Sequence, residues 1–192
     1  ILAAAEEVFA DLGFAGATTG LIAKRAGIPK ANLHYYFPTK EALYRTITSK
    51  VFTTWFEAAT TFDDCDDPTE ALTRYIRAKM NISFKHPLGS KVCAQEIMQG
   101  APQIQDFLEK TLKDWTASRI LVIERWIAEG KINAIDPHYL LYMIWGTTQH
   151  YADFAHQITT LNNGRPLSDQ QKEEAQQTVI NIILRGIGLS PQ

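Results

Sequence analysis

Residues 14–43 read FAGATTGLIAKRAGIPKANLHYYFPTKEAL. The first half of this stretch has apolar residues at the spacing of a short helix: Ile22, Ala23 and Ala26. Gly27 ends that helix, and Pro29, which is tolerated only in a first helical turn, predicts a second helix that ends before Pro38. The buried side of the second helix is predicted to consist of Leu33, Tyr36 and Phe37. Two short helices joined by such a turn are typical of a helix-turn-helix.

The second helix of a helix-turn-helix enters the major groove of DNA, while the first crosses the sugar–phosphate backbone. Here the second helix leaves five residues outside its buried side: Lys30, Ala31, Asn32, His34 and Tyr35. Asn32 can bond a base edge in two places and Lys30 can reach guanine or phosphate, whereas Tyr and His more often bond phosphate. Thr18 or Thr19 stands at the start of the first helix, where free backbone N–H groups can also meet a phosphate. We expect these residues to contact double-stranded DNA.

The net charge of −2 does not by itself suggest a nucleic-acid partner. Between Ala15 and Lys40, however, there are four basic residues and no Asp or Glu: Lys24, Arg25, Lys30 and Lys40. One local surface is therefore predicted to be positive, which fits a DNA-binding face. The same charges would also suit the solvated face of a helical protein-interaction module without DNA binding, so charge alone leaves both interpretations open.

Helical periodicity continues along the whole chain, without an alternating pattern long enough for a strand. An apolar face predicts helix 1, which ends at Gly13: Leu2, Ala5, Val8, Phe9 and Leu12. Thr39 caps a helix 4 of about six turns, whose apolar residues are Leu43, Ile47, Val51 and Trp55. After an acidic loop, further helices are predicted at about 69–85, 87–99, 102–130, 136–160 and 168–187. The expected fold is all-α, with a DNA-binding domain over 1–46 and a helical ligand-binding and dimerisation domain over 47–192.

The order of residues in 14–43 resembles the DNA-binding signature of the TetR family of bacterial transcriptional regulators. Its most specific parts are the blocks Ile22-Ala23, Ala26-Gly27-Ile28, Leu33, Tyr36-Phe37 and Lys40-Glu41-Ala42-Leu43. The resemblance implies a three-helix head, a linking helix 4 and a larger helical body, and it implies that Lys40 meets the DNA backbone. Three positions depart from the pattern. Ala17 and Pro29 align with the Thr and Ser that usually cap helices 2 and 3, and His34 replaces a Tyr that usually contacts phosphate.

The remainder of the chain resembles the RutR-type regulators of this family, above all over residues 135–140 and 143–155. Those regulators respond to pyrimidines, notably uracil and thymine, so the resemblance implies a pyrimidine effector. A pyrimidine needs flat apolar walls and a few directed hydrogen bonds. We predict Trp55 and Trp145 as walls, and Gln149, one helical turn after Trp145, as a partner for the ring edge. Glu96 is a further polar candidate, because a carboxylate in an otherwise apolar helix should be partnered or exposed.

Ordinary structural roles are open for the same residues. Tryptophan at helical spacing is more often core than ligand wall, and Gln149 could bridge two helices. His150, Asp153 and His156 could suggest a metal site, but helical spacing scatters them, and we expect neither a metal nor another cofactor. The chain lacks G-x-S-x-G, HExxH, phosphate-loop and Rossmann motifs, which argues against an enzyme. A different hydrophobic or drug-like effector is a further alternative, since related bodies accept varied ligands.

A homodimer is expected from the resemblance, through the last two long helices and their symmetry mates. The apolar residues there exceed what one packed face needs: Leu140, Met143, Ile144, Thr147, Tyr151, Phe154, Ile158, Ile180, Ile183 and Leu184. A two-fold dimer would place two recognition helices on a palindromic operator. We expect the regulator to act as a repressor that the effector releases or modulates.

The composition, 45% hydrophobic and 21% charged, is ordinary for a globular protein. No apolar run approaches the roughly 20 residues that a membrane-spanning helix needs. Cys65 and Cys93 are too few for a disulfide framework or a zinc site, and they fit a reducing cytoplasm. Because the chain opens inside a helical pattern, we expect a preceding segment, which could include a basic arm. Glu6 and Glu7 follow the apolar start directly, which argues against a secretory signal peptide.

Overall fold

The structure is a computed structural model that describes residues 1–190, and in that range it is helical without a strand. The helices are α1 (Leu2–Gly16), α2 (Thr19–Arg25), α3 (Lys30–Tyr36), α4 (Lys40–Ala58), α5 (Thr61–Asp64), α6 (Pro68–Lys85), α7 (Pro87–Met98), α8 (Gln105–Phe107), α9 (Lys113–Ala128), α10 (Pro137–Asp153), α11 (Ala155–Leu161) and α12 (Asp169–Gly186). A π-helical turn, Leu108–Leu112, joins α8 to α9. The predicted all-α class is confirmed.

The head consists of α1, α2, α3 and the start of α4, packed around a small core to which α7 of the body adds Val92. The other buried apolar residues of that core come from the four helices and, at Ala17, from the turn between α1 and α2: Ala5, Val8, Phe9, Ala10, Ala17, Ile22, Ala23, Leu33, Leu43, Tyr44 and Ile47. Gly13, where helix 1 was predicted to end, has φ +68° and kinks α1, which then continues to Gly16. Leu12, which the periodicity placed on the buried face, is exposed beside this kink.

Two threonine caps fix where the helices of the head begin. The Thr18 hydroxyl oxygen accepts the N–H of Leu21 at 3.2 Å, and the Thr39 hydroxyl oxygen accepts the N–H of Ala42 at 3.0 Å. Such caps satisfy backbone donors that the helix itself leaves free. Since Thr18 caps α2, the departure at Ala17 does not leave that helix uncapped. Pro29 gives α3 no side-chain cap, as the sequence indicated.

The body buries a larger core between α6, α9, α10 and α12. Its largest fully buried side chains include Trp126, Tyr75 and Phe62. α10 packs against both α6 and α7, and α12 packs against α6. None of the helices in the described range is long and apolar enough to cross a bilayer.

Two helices join the head to the body. α4 is 19 residues long and continues from the head core, at Ile47, to a separate apolar cluster that contains Phe52 and Trp55. α7 packs on α1 and α4 at once. A Cβ atom at Gly89 would lie 2.7 Å from Val51 Cγ2 and 2.8 Å from Glu6 Oε1, so the absence of a side chain allows this close approach.

Three predicted helices differ from those observed. The segment from Pro102 is a turn, and its helix begins only at Gln105 and passes through the π-helical turn before α9. The helix predicted over 136–160 is interrupted at Phe154, whose φ and ψ of −112° and 26° are not helical. α4 ends at Ala58, about one turn short of the predicted length, and the predicted acidic loop contains the end of the short helix α5.

Candidate DNA-binding face and effector cavity

The recognition helix α3 exposes one side to solvent. Five residues predicted to face DNA are exposed: Lys30, Ala31, Asn32, His34 and Tyr35. The prediction that Tyr36 is buried was wrong, because its side chain is 65% exposed and its ring meets that of Tyr35 edge-on at 5.1 Å. The helix ends at Tyr36, and the extended backbone of Phe37 then carries that ring toward the head core instead. Tyr36 therefore belongs to the outer face of α3.

Lys40 is engaged within the head. Its Nζ donates to the carbonyl oxygens of Phe14 at 2.8 Å and Ala17 at 3.1 Å, and it lies 4.2 Å from the centroid of the Phe14 ring. These bonds satisfy carbonyls at the end of α1 and hold the start of α4 against it. The contact of Lys40 with the DNA backbone stays a prediction, and it would use the remaining N–H of the ammonium group.

The other polar groups of the head are partly occupied as well. Arg25 Nη1 donates to Glu7 Oε2 at 2.6 Å, which ties α2 to α1 and neutralises one of the four predicted positive charges. His34 Nδ1 lies 3.3 Å from the carbonyl oxygen of Pro38. Lys24 and Lys30 are exposed, and Thr19 is half-buried at the start of α2. The positive character of this face therefore rests mainly on two lysines.

A small aromatic cavity of about 80 Å³, partly open to solvent, lies in the body. Its lining comes from α4, α6, α7, α9, α10 and the π-helical turn: Phe52, Trp55, Phe56, Tyr75, Lys79, Ile97, Leu112, Trp115, Trp145 and Gln149. Three residues predicted from sequence to bind ligand, Trp55, Trp145 and Gln149, are brought together here. Trp145 Nε1 donates to the Tyr75 hydroxyl oxygen at 2.9 Å, which fixes the orientation of the Trp145 ring.

Lys79 is the polar cavity residue that the sequence reasoning missed. Its side chain is almost fully buried, and its Nζ lies 4.2 Å from the centroid of the Trp55 ring. Burial lowers the pKa of Lys79 to about 7, against the opposing influence of the nearby Asp153 carboxylate. A signal was present, because Lys79 follows Tyr75 and Ile76 at helical spacing and so falls on the buried face of α6.

Glu96 does not line the cavity, contrary to its selection as a ligand candidate. It is buried in α7, where its Oε1 accepts the backbone N–H of Gln103 at 2.5 Å. Its Oε2 is buried without a hydrogen-bond partner in residues 1–190. The nearby carboxylate of Glu96 adds to burial in raising the pKa of the Tyr44 phenol on α4. Glu96 therefore holds the turn after α7 through its bond to the backbone of Gln103. One of its two carboxylate oxygens is partnered, as we expected for a carboxylate in an apolar helix.

The polar residues at the end of α10 have roles within the fold. Asp153 Oδ1 accepts the Ser90 hydroxyl at 2.6 Å, and burial raises the pKa of that carboxyl group. His150 stacks on Phe154 with ring centroids 4.8 Å apart. Over residues 1–190, no three His, Cys, Asp or Glu side chains lie together in a way that could hold a metal ion.

An apolar stripe follows the outer side of α10. Exposed large side chains define this α10 stripe, with one more on the neighbouring α12: Tyr139, Tyr142, Met143, Phe154 and Ile182. Two of the ten apolar residues that the periodicity placed in one broad strip, Met143 and Phe154, lie on this stripe. Five others are buried in the core of the same chain: Leu140, Ile144, Ile180, Ile183 and Leu184. The periodicity had placed core and outer residues on one broad face.

A helix-turn-helix head with an outward recognition helix, joined to a helical body that holds an aromatic cavity, is the architecture of a ligand-responsive DNA-binding regulator. The description "Bacterial regulatory proteins, tetR family" matches residues 1–47, and "YcdC-like protein, C-terminal region" matches residues 48–190. The chain therefore belongs to the TetR family, and its helix-turn-helix is the DNA-binding element of a member of that family.

Similar proteins extend over nearly the whole chain. The HTH-type transcriptional regulator RutR of Escherichia coli strain K12 is 36% identical over 187 residues, which covers 97% of this chain and 88% of that protein. The crystal structure of the TetR family transcriptional regulator PfmR from Thermus thermophilus has a TM-score of 0.73 at 20% identity and covers 96% of both chains. AibR, solved in complex with isovaleryl coenzyme A and operator DNA, has a TM-score of 0.75 at 16% identity and covers 94% of both chains.

Proposed function

We propose that this regulator binds a palindromic operator as a homodimer, and that a pyrimidine such as uracil or thymine binds in the aromatic cavity and changes its operator affinity. The observation that carries the proposal is the cavity itself, whose lining brings Trp55 and Trp145 together with Lys79 and Gln149. In a cell, such a protein would act as a repressor in the cytoplasm, where bacterial DNA lies.

The chemistry of the lining suits a small planar ring. Aromatic side chains on opposite sides of the cavity can stack on the faces of a pyrimidine. The ring edge alternates carbonyl acceptors with N–H donors, and Gln149 can both donate and accept there. Lys79 can donate to a carbonyl oxygen. The hydrogen bond from Trp145 to Tyr75 keeps one wall in place before ligand arrives, which reduces the ordering that binding must impose.

Similarity to RutR supports the same choice of effector. The likeness extends over 97% of the chain at 36% identity, and so it includes the body as well as the head. The solved neighbours are more distant, and they support only the fold. The preference for a pyrimidine over a larger hydrophobic effector therefore rests on the small size of the cavity, on the polar groups of Lys79 and Gln149 in its lining, and on the similarity to RutR.

The α10 stripe is the surface that we assign to a second copy of the chain. It contains a cluster of three exposed apolar side chains in the first half of α10, Tyr139, Tyr142 and Met143, and exposed Phe154 on the same side at its end; a cluster needs an explanation that single exposed apolar residues do not. Isologous contact between two such rows produces a two-fold axis. Two recognition helices would then reach half-sites about one helical turn of DNA apart.

Helix α4 is placed to carry the response. It packs in the head core at Ile47 and lines the cavity at Phe52, Trp55 and Phe56, so a ligand that moves these rings also moves the head. A change in the separation of the two recognition helices would weaken the fit to one turn of DNA. The effector must prefer one separation, since equal affinity for both states would shift nothing.

The proposal predicts that uracil or thymine releases the protein from its operator. A fluorescein-labelled duplex, selected on the protein from a random-sequence library, is titrated with protein in a fluorescence anisotropy assay with and without saturating pyrimidine. We expect the operator Kd to rise by about tenfold or more, in the range of typical allosteric couplings. An unchanged Kd at saturating uracil and thymine would overturn the pyrimidine assignment.

Variants locate the site. Gln149→Ala and Trp145→Ala are expected to abolish the response and to leave operator affinity without ligand within about twofold, because neither residue lies on the head. The matched control is Gln170→Ala, at an exposed glutamine in the first turn of α12. A response that survives both cavity substitutions would place the effector elsewhere, and a response to a larger apolar ligand alone would favour the alternative effector class.

A further inference from the structure

One residue in the turn before α8 is held from two sides. The backbone N–H of Gln103 donates to Glu96 Oε1 on α7 at 2.5 Å, and its carbonyl oxygen accepts Arg45 Nη1 on α4 at 2.6 Å. The same guanidinium reaches further, since Arg45 Nη2 donates to Asp106 Oδ2 at 2.6 Å. The Arg45 guanidinium also holds the pKa of the Asp106 carboxyl group below its usual range. Arg45, Gln103 and Asp106 are called the latch below.

The segment on the body side of the latch continues into the cavity wall. Ile104 is buried, and the Phe107 ring packs on the Phe52 ring with centroids 4.6 Å apart. The chain then runs through the π-helical turn to Leu112 and Trp115, both of which line the cavity. π-helical turns inside helices are frequent at functional sites, because they offset one side of the helix from the other. Movement of this wall therefore displaces the residues that Arg45 holds.

The position of Arg45 on α4 gives the latch its significance. Arg45 directly follows Tyr44 of the head core and lies about two turns before Phe52, the first α4 residue of the cavity. Because the planar guanidinium bonds a carbonyl and a carboxylate in fixed directions, it transmits a displacement that a single flexible contact would absorb. The latch is thus the polar connection between the cavity wall and the part of α4 nearest the DNA.

We propose that Arg45 is a positioning residue for the allosteric response, transmitting movement of the Gln103–Trp115 wall to α4 through its bonds to Gln103 and Asp106. This inference rests on the proposed function for the source of the movement. Trp55 and Phe56 also touch the cavity from α4 directly, so loss of Arg45 reduces the coupling between effector and operator without removing it. Both latch side chains are about half exposed, so their importance lies in coupling rather than in stability.

The test compares Arg45→Met, Arg45→Lys and Asp106→Ala with Arg74→Met. Arg74 forms an equally exposed ion pair with Glu70 within α6, away from the latch, and is the matched control. The measured quantity is the ratio of operator Kd with and without saturating uracil, together with the Kd of uracil for the free protein. We expect the ratio to fall about fivefold in Arg45→Met and Asp106→Ala, with an intermediate value in Arg45→Lys, while uracil affinity stays within about twofold.

A second arm does not depend on the effector. Coupling is reciprocal, so binding of the selected operator duplex should change amide hydrogen exchange in residues 99–112 of the wild type. Arg45→Met should reduce that change severalfold, and Arg74→Met should keep it. If uracil leaves the operator Kd of the wild type unchanged but the wild type shows this exchange pattern, the pyrimidine effector is refuted and the latch is supported. An unaltered uracil ratio in both latch variants, or exchange in residues 99–112 that the duplex never alters, overturns the latch.

Discussion

Lys79 is the residue at which burial and charge conflict most directly. It lies among Trp55, Tyr75 and the other rings of the cavity, and the charged or titratable groups near it are Asp153 on α10 and Cys93 on α7. Neither forms an ion pair with it within residues 1–190, where the described ion pairs all involve other cations. A buried ammonium in such a position is costly for the fold and useful for a ligand that carries an acceptor.

The lowered pKa of Lys79 predicts how stability depends on pH. The unfolded chain keeps this proton up to the ordinary value near 10.5, whereas the folded chain loses it above about 7. Between those values the unfolded state binds more protons, so the contribution of Lys79 to stability rises with pH across this window. Lys79→Met should therefore stabilise the protein at pH 6 to 7, on the scale of about 1–4 kcal/mol known for replaced buried charges, and the gain should shrink toward pH 10.

Urea unfolding of the variant and the wild type from pH 6 to 10 checks this prediction. Lys85→Met, at an exposed position in the last turn of the same helix, is the control and should show no such pH dependence. A stability difference between Lys79→Met and wild type that stays constant with pH, or that grows toward pH 10, would contradict the assigned protonation.

At the scale of elements, α7 is packed more tightly against the head than any other part of the body. Replacing Gly89 by Ala would place a methyl group within 3 Å of both Val51 Cγ2 and Glu6 Oε1. The flexible Glu6 side chain can move aside, so the short Val51 side chain on α4 is the group that resists the methyl group. We expect Gly89→Ala to cost about 1–3 kcal/mol, as is usual for overpacking, and to lower Tm by roughly 2–4 °C for each kcal/mol.

Thermal unfolding followed by circular dichroism measures this effect. Gly186→Ala is the control, because nothing lies within 4 Å of the added methyl group and alanine favours a helix by up to about 1 kcal/mol over glycine. The double variant Gly89→Ala/Val51→Ala should recover part of the loss, since it removes one of the two opposing groups. Equal Tm values for Gly89→Ala and wild type would show that α7 does not constrain the head at this point.

The elements themselves were largely predictable from sequence, because caps and helix-ending residues act locally. Thr39, Gly27 and Pro38 marked their boundaries through backbone chemistry that needs no tertiary context. The turn before Gln105 was not predicted, since Pro102 is tolerated in a first helical turn and only tertiary contacts at Gln103 keep the chain out of a helix there. The role of Tyr36 was also missed, because the helix ended one residue before the apolar pattern did.

The cavity was predictable only in part, for a physical reason. Trp55, Trp145 and Gln149 were found by residue chemistry together with a family resemblance, and that resemblance extends over the whole body. Lys79 and Tyr75 come from α6, and no local pattern shows that α6 faces α10 across a cavity. Which α10 residues are buried depends likewise on where α6 and α7 pack. Periodicity therefore predicted one broad apolar face on α10, whereas the structure has a buried face and an exposed apolar face.

At the scale of the whole molecule, the proposed response to effector requires two heads held at a defined separation. A single chain supplies one recognition helix, one cavity and one α4, and release from DNA by a change in separation has meaning only in a dimer. The α10 stripe lies on the body, on the outer side of the helix whose inner side carries Trp145 and Gln149. The surface assigned to the second copy and the effector site therefore share one helix.

Disruption of the α10 stripe should separate the two heads without unfolding either chain. Met143→Glu places a charge at the middle of the stripe, where the wild-type side chain is 55% exposed in the single chain. Burying an unpaired carboxylate in an interface is costly, so we expect the variant to sediment as a monomer at micromolar concentration with unchanged helical circular dichroism. Its operator affinity should fall by at least about tenfold, because each head then binds its half-site alone. Leu121→Glu, a charge at a leucine on α9 that is 67% exposed, should remain dimeric with normal affinity. A Met143→Glu protein that stays dimeric would assign the interface to another surface, and dissociation of both variants would show a general effect of added charge.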